Sequence, residues 1–400
     1  MSYALIKTKR VKIINKRNTK LAILVVSFTI IIFLGFFSSQ ALAYKYKKSD
    51  YWPDWDKWRE AIPETQGMNS SKIEEMYEFI EANEIDLHSV LIIRNGYIVS
   101  EEYLDDSVRI EEKIYIWPEA HPFIQLRDGR LHCLWSATKS VVSLLTGIAI
   151  EQGLFELDTT FFEVFPDRWD LIKYGDERKL DITVENMLLQ NSGIQWDELG
   201  DWWSWYYTDF NLDFYLTRPM DYTPGANFPV DFWTYTAGNA EMLSVMIANK
   251  SGMTMAEFAR KYLFKPLKIR DDEWDWWEGA SEWGSGDLAI KNHGGFGLFM
   301  THQAMARIGL MCLNEGKWRG RQVVSEDWID ISTSVQINPW GMFPYGYLWW
   351  PYENYYSASG LAGQHIIVIP EDNIVVAFTA DDDYSTATLI DFILDAVLWN

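Results

Sequence analysis

Ser136 and Lys139 stand three residues apart in Leu134-Trp135-Ser136-Ala137-Thr138-Lys139-Ser140, the only Ser-x-x-Lys spacing in the 400-residue chain. On a helix that starts near Ser136, positions i and i+3 share a face, so the hydroxyl and the amine come within mutual reach. The residues behind them are almost wholly apolar. Val142, Leu145, Ile148 and Ala149 recur at helical spacing, which sinks the start of the helix into the protein. An ammonium taken out of water is disfavoured relative to the neutral amine, and a neutral amine beside a serine can take its proton as general base. The chemistry that follows is attack by Ser136 on a carbonyl carbon. The same spacing also arises from a serine N-cap followed by a solvated lysine. The apolar helix weighs against that alternative, because an idle lysine is costly to bury.

The elements that would position this pair are legible on both sides of it. Ser70 to Ala82 has a serine start, early acids and apolar Ile73, Met76, Tyr77 and Ile80, the pattern of an amphipathic helix with its cap. Ser89–Arg94 and Tyr97–Tyr103 flank Asn95-Gly96 and predict a hairpin. Leu104 to His132 reads as polar loop. Helical patterns then dominate to about Trp328, over 184–189, 240–250, 255–262 and 303–314. A second hairpin is expected from Gln364–Pro370 and Ile374–Thr379, and Ser385 to Leu398 closes the chain as a helix. The order predicts an α+β fold: an antiparallel sheet built from both chain ends and flanked by helices, with a mainly helical subdomain inserted over about 136–340. No internal repeat is visible.

Up to and including Lys20 the chain holds seven Lys/Arg and no acid, and Leu21 to Phe37 is an apolar run of 17 residues followed by Ser38-Ser39-Gln40-Ala41-Leu42-Ala43. Residues 1–43 therefore read as a signal peptide or an N-terminal membrane anchor, which places the rest outside the cytoplasm. Residues 44–69, rich in Trp, Lys, Asp and Pro, read as a loosely packed lead-in, and 70–400 as the functional domain. Beyond residue 43 there are 28 Lys/Arg against 57 acids, a net charge of −29, which argues against nucleic acid or an anionic membrane surface as partner. Any membrane contact is expected only through the N-terminal segment, if uncleaved. Cys133 and Cys312 match no metal spacing and are read as buried apolar residues. The acidic stretch 271–278 is interleaved with Trp and reads as solvated surface.

Further boxes accompany Ser-Ala-Thr-Lys: Ile182 to Gly193, ending Gln190-Asn191-Ser192-Gly193; Thr223-Pro224-Gly225 leading to Tyr235-Thr236-Ala237-Gly238-Asn239; Gly294 to Thr301 followed by Met305 to Gly309; Tyr345 to Trp350; and Gly363 to Pro370. In these, from Ser89 to Phe392, the chain resembles the serine β-lactamase and penicillin-binding-protein superfamily. The likeness is to its class C-like branch of esterases, D-aminopeptidases and 6-aminohexanoate-dimer hydrolases. The resemblance implies that Tyr235 lies near Ser136 and Lys139 as the tyrosine of the second motif. A phenol hydrogen-bonded to the amine would pass the proton to the leaving group. It also implies an oxyanion hole from the backbone N–H groups of Ser136 and Leu361, and no metal or cofactor.

Two positions depart from the family pattern. Ala237 stands where the second motif has an asparagine, and Ala358 in Ala358-Ser359-Gly360 stands where the third motif has Lys or His before its glycine. Without that cation a substrate carboxylate loses a charge-assisted contact. The expectation is an exported serine hydrolase that cleaves a small-molecule ester or amide through an acyl-enzyme on Ser136, with Ala237, Ala358, Gly360 and Trp203 as cleft residues. Trp203 belongs to Trp202-Trp203-Ser204-Trp205-Tyr206-Tyr207, read as a lid or wall of the cleft. A D,D-peptidase or β-lactamase is the alternative within enzymes, and a catalytically silent binding protein on the same fold the alternative outside them. His293, beside Gly294-Gly295, is the one histidine of interest.

Overall fold

The structure is a computed structural model and describes residues 51–53, 57–104, 131–168, 176–198, 200–201, 204, 212–226, 232–277, 292–381 and 386–398. These fall in the unit Lys48–Asn400. The signal or anchor expected over 1–43 lies outside the described residues, as do most of the loop expected over 104–132 and the side chains of Trp202, Trp203 and 205–207. Among the described residues no helix is long and apolar enough to cross a membrane.

The strands are β1 (Leu87–Arg94), β2 (Tyr97–Tyr103), β3 (His132–Cys133), β4 (Trp274–Trp276), β5 (Leu298–Met300), β6 (Lys317–Trp318), β7 (Arg321–Gln322), β8 (Trp350–Pro351), β9 (Tyr356–Gly360), β10 (Gln364–Ile369) and β11 (Ile374–Ala380). The helices used below are α1 (Ser70–Ala82), α2 (Ala137–Glu151), α3 (Ala237–Ser251), α4 (His302–Leu313), α5 (Glu326–Thr333) and α6 (Thr386–Asp395). Six strands form one sheet in the order β2-β1-β11-β10-β9-β8, every pairing antiparallel. The expected α+β architecture, a sheet drawn from both chain ends with helices around it, is the one observed.

Strand alternation explains why the sheet residues read as continuous apolar runs. In β1, Val90 and Ile92 join the core formed with α1 and α6, whereas Leu91 and Ile93 join the larger core on the other face; β10 and β11 alternate likewise. Helix α1 has the expected bounds, but its cap is Asn69, whose side chain accepts from the Ser71 N–H at 3.0 Å. The lead-in does not end loosely, since Met68 is fully buried in the α1/α6 core.

The region between β2 and β8 is mainly helical, yet it also carries a three-stranded sheet, β3-β5-β4, and a β6-β7 hairpin. The acidic stretch is only partly surface: Asp271 pairs with Arg260, while Trp274–Trp276 is strand β4. These strands are two or three residues long, too short for a period-2 pattern to show. The small sheet matters because β3 leads directly into α2. Leu134 N–H donates to the Leu298 carbonyl at 2.8 Å, and the Leu298 N–H donates to Thr138 Oγ1 at 3.2 Å. Along α2 every residue from Ala137 to Ala149 is buried. Trp328 of α5 clamps its middle, donating Nε1 to the Ser143 carbonyl at 3.0 Å. Cys133 and Cys312 are free thiols, and the Cys133 thiol donates to the Phe296 carbonyl.

His132, in β3, is 9% exposed, with its Nδ1 3.5 Å from Nδ1 of His88. Burial first, and then the neighbouring His88 and His302, push its imidazole down to about 3. The unfolded chain takes up this proton below about pH 6.5 and the folded chain resists it, so the contribution to stability is present above that pH and is lost on acidification. Stability is expected to fall by up to about 1.4 kcal/mol per pH unit from this group between about pH 6 and 4. Denaturation curves at stepped pH for the native chain and His132→Asn test this; an equally steep fall in the variant would assign the effect to other groups.

Candidate active site

The residue before the expected nucleophile adopts an unusual backbone. Trp135 has φ +47°, a left-handed conformation that costs a side-chain-bearing residue about 1 kcal/mol and is held by the β3–β5 connection below it. This sharp turn presents Ser136 at the start of α2. Ser136 occupies the N-cap position, but its side chain makes no capping hydrogen bond, so the hydroxyl is left for other work. One turn on, Lys139 is 1% exposed.

Four groups surround the lysine amine. Lys139 Nζ lies 3.0 Å from Ser136 Oγ, donates to the Gly295 carbonyl at 2.8 Å, lies 3.8 Å from Glu198 Oε1, and faces the Tyr235 ring 4.8 Å from its centroid. The Ser-x-x-Lys pair is therefore assembled as its spacing predicts. Tyr235 is brought to it differently from expectation: the amine meets the ring face, a cation–π geometry, and no hydrogen bond joins the phenol to Lys139.

Glu198 and Gly295 were not evident from the sequence. Glu198 accepts from Trp196 Nε1 at 2.6 Å and from the Ala237 N–H at 3.1 Å. Desolvation raises its pKa, an effect opposed mainly by the Lys139 charge. It sits in an irregular loop with no periodicity to mark it. Gly295 acts through its backbone carbonyl, which no residue type announces.

The Tyr235 box is tied down by the preceding motif. Gln190 accepts from the Thr234 N–H with its carbonyl at 2.9 Å, and its Oε1 accepts from the Thr236 N–H at 3.1 Å and Asn239 Nδ2 at 2.9 Å. Thr236 then caps α3, accepting from the Gly238 N–H at 2.9 Å. Aromatic neighbours Trp233 and Trp350, with ring centroids 5.7 and 6.0 Å away, fix the Tyr235 ring. Trp233 continues this wall to Trp340, which is exposed.

Strand β9 closes the other side. A Cβ on Gly360 would fall 2.0 Å from the Leu134 carbonyl and 3.1 Å from the Ala137 N, so the bare strand end lies directly on the start of α2. Leu361, the next residue, is exposed beside it. Ala358 is fully buried in the core and paired with Ile366, and it brings no charge to the cleft. Ala237 is likewise buried, with its Cβ beneath Gly295. Trp203 lies outside the described residues. Among the described residues no group of three or more His, Cys, Asp or Glu side chains is placed to hold a metal ion.

A model of the beta-lactamase family matches residues 80–397. In structure the chain is similar to a Bacillus anthracis protein assigned as a 6-aminohexanoate-dimer hydrolase, at 14% identity and TM-score 0.63, over 86% of this chain and 88% of that one. It is also similar to a penicillin-binding protein from Bacillus halodurans, at 15% identity and TM-score 0.58, over 80% of this chain and 99% of that one. A family VIII carboxylesterase aligns at 13% identity and TM-score 0.59, over 84% and 99%. At such identities the likeness is one of fold. No curated protein sequence matches the chain.

The contact at Gly360 carries an expectation. Gly360→Ala forces β9 away from α2, because the atom met is backbone that cannot rotate aside, and overpacking of this kind costs about 1–3 kcal/mol. Turnover of a p-nitrophenyl ester should fall more steeply than thermal stability. Native turnover in Gly360→Ala would show that the strand end does not form part of the site.

Proposed function

We propose that this chain, which belongs to the beta-lactamase family, is an exported serine hydrolase that cleaves a small-molecule ester or amide through an acyl-enzyme on Ser136. The observation that carries the reading is the 3.0 Å approach of a buried Lys139 amine to a Ser136 hydroxyl that caps nothing. A lysine nitrogen has tetrahedral geometry. In the neutral amine two N–H bonds can face the Gly295 carbonyl and Glu198 while the lone pair faces the Ser136 hydroxyl; in the ammonium each of the three directions carries a proton. The same partners therefore serve both protonation states, and moving the proton along the Ser136–Lys139 line needs no rearrangement.

Ser136 Oγ bonds to the carbonyl carbon as its proton passes to Lys139. The resulting ammonium is met by Glu198, the Gly295 carbonyl and the Tyr235 ring. The oxyanion is assigned to the N–H groups of Ser136 and Leu361, a reading supported by the close seat of Gly360, the residue before Leu361, on the start of α2. Collapse of this intermediate expels the leaving group with the proton from Lys139, and water attacking the ester carbon regenerates Ser136. Export rests on the basic head and apolar run of residues 1–43. Buried Ala358 supports neutral substrates over those bearing a carboxylate, because the strand offers no cation there.

Ser136→Ala is expected to fold normally and to lose at least about 10³-fold in turnover, as loss of a nucleophile does. A fluorophosphonate should label Ser136 in the native chain, read by peptide mass spectrometry. Labelling elsewhere, or near-native turnover in Ser136→Ala, removes the assignment and points to another nucleophile; neither labelling nor turnover in the native chain would favour a silent binding protein. A second measurement addresses substrate class: kcat/KM for short-chain p-nitrophenyl esters should exceed that for penicillins and cephalosporins by orders of magnitude. Comparable cephalosporin turnover would mean that another residue supplies the charge missing at Ala358.

A further inference from the structure

We propose that Glu241, on α3, is a positioning residue that holds the turn His293-Gly294-Gly295 so that the Gly295 carbonyl stays on Lys139 and aims the amine at Ser136. This rests on the reading that Lys139 serves Ser136. Glu241 follows Ala237 by one helical turn and is 0% exposed. Its Oε2 accepts from the Gly294 N–H at 3.0 Å; its Oε1 accepts from the Gly295 N–H at 3.1 Å and lies 3.2 Å from His293 Nδ1. The peptide whose N–H groups Glu241 grips ends in the carbonyl that receives Lys139 Nζ at 2.8 Å. The path from α3 to the nucleophile runs Glu241, Gly295, Lys139, Ser136.

Space around the turn points the same way. A Cβ on Gly294 would fall 2.0 Å from Ser244 Oγ and 2.7 Å from the Ala240 carbonyl, and one on Gly295 would fall 2.6 Å from Ala237 Cβ. The turn therefore lies flat on α3 across Ala237, Ala240 and Ser244, with Glu241 between them as its polar anchor. This gives Ala237 a positive role: a larger side chain there would lift Gly295 away from Lys139. A carboxyl group buried this deeply is tolerable only with its oxygens matched by donors, which the turn provides. The titratable groups facing this arrangement are His293 on the turn, Lys139 on α2 across Gly295, and Glu198 on the loop beyond Lys139.

Main-chain N–H groups only donate, so Glu241→Gln is a discriminating change. The amide keeps the shape of the carboxyl but turns an NH2 donor toward one of the two glycine N–H groups. Misplacement of the Gly295 carbonyl by about 1 Å should lower kcat for a p-nitrophenyl ester, and the rate of fluorophosphonate labelling of Ser136, by about 10²-fold. KM should stay within about twofold, because no substrate contact is touched. Glu241→Asp, which keeps two acceptor oxygens one methylene short, should recover part of the rate and provides the reading if Glu241→Gln does not fold. A folded Glu241→Gln, or failing that a folded Glu241→Asp, with kcat within about twofold of native overturns the proposal. Lys139→Met separates the two levels. If it is inactive while the Glu241 variant is native-like, the positioning role fails alone; if Lys139→Met itself keeps activity, the reading beneath it has failed.

Discussion

A lysine amine with almost no access to water must have its hydrogen-bonding demands met by protein, and the architecture around Lys139 is arranged to meet them. The helix that carries it is buried along its length and supplies the serine one turn away. The turn before β5 contributes a carbonyl, the segment before α3 a carboxylate, and the Tyr235 box an aromatic face. Each partner comes from a different stretch of chain, so the amine gathers the inserted helical region around the start of α2. Removing any of them would leave a buried donor unmatched, which costs more than the net value of the bond.

Much of the scaffold could be read from residue patterns. Helix α1 and the β1–β2 and β10–β11 hairpins declare themselves because their periods run long enough, and Asn95-Gly96 marks its turn. Ser136 and Lys139 were legible because side-chain identity and a helical spacing suffice to define that pair. Glu198 was not, since its carboxylate reaches Lys139 only after the loop folds against Trp196 and the Ala237 N–H. Glu241 left a trace that was readable in principle: a lone acid inside an α3 that is apolar from Ala240 through Ile247 apart from Ser244, one turn beyond Ala237. The orientation of Tyr235 toward the amine, face and not oxygen, depends on Trp233 and Trp350, and no local pattern encodes it.

The two alanines that depart from the family pattern are not simple losses. At 358 the strand exchanges a cation for core packing against the buried helix, which makes the cleft electrically plainer. At 237 the small side chain admits a backbone carbonyl to the place beside Lys139 where a side-chain amide would otherwise compete. A backbone acceptor is fixed by the fold and cannot swing with a ligand, so the amine keeps its direction whether or not substrate is present.

The sheet has a temporal consequence. Strand β11 lies between β1 and β10, so the centre of the sheet is completed by residues made long after β1, and Ser89 meets Thr379 across 290 positions at 2.6 Å. Until β11 arrives, the β1–β2 hairpin has one open edge and two apolar faces with nothing to complete them. Contacts of such separation form slowly, and unpaired apolar edges are prone to associate. A growing chain therefore carries this open edge until β11 has been made, and the start of α2 acquires its final surroundings only when the closing strands, β9 included, have docked.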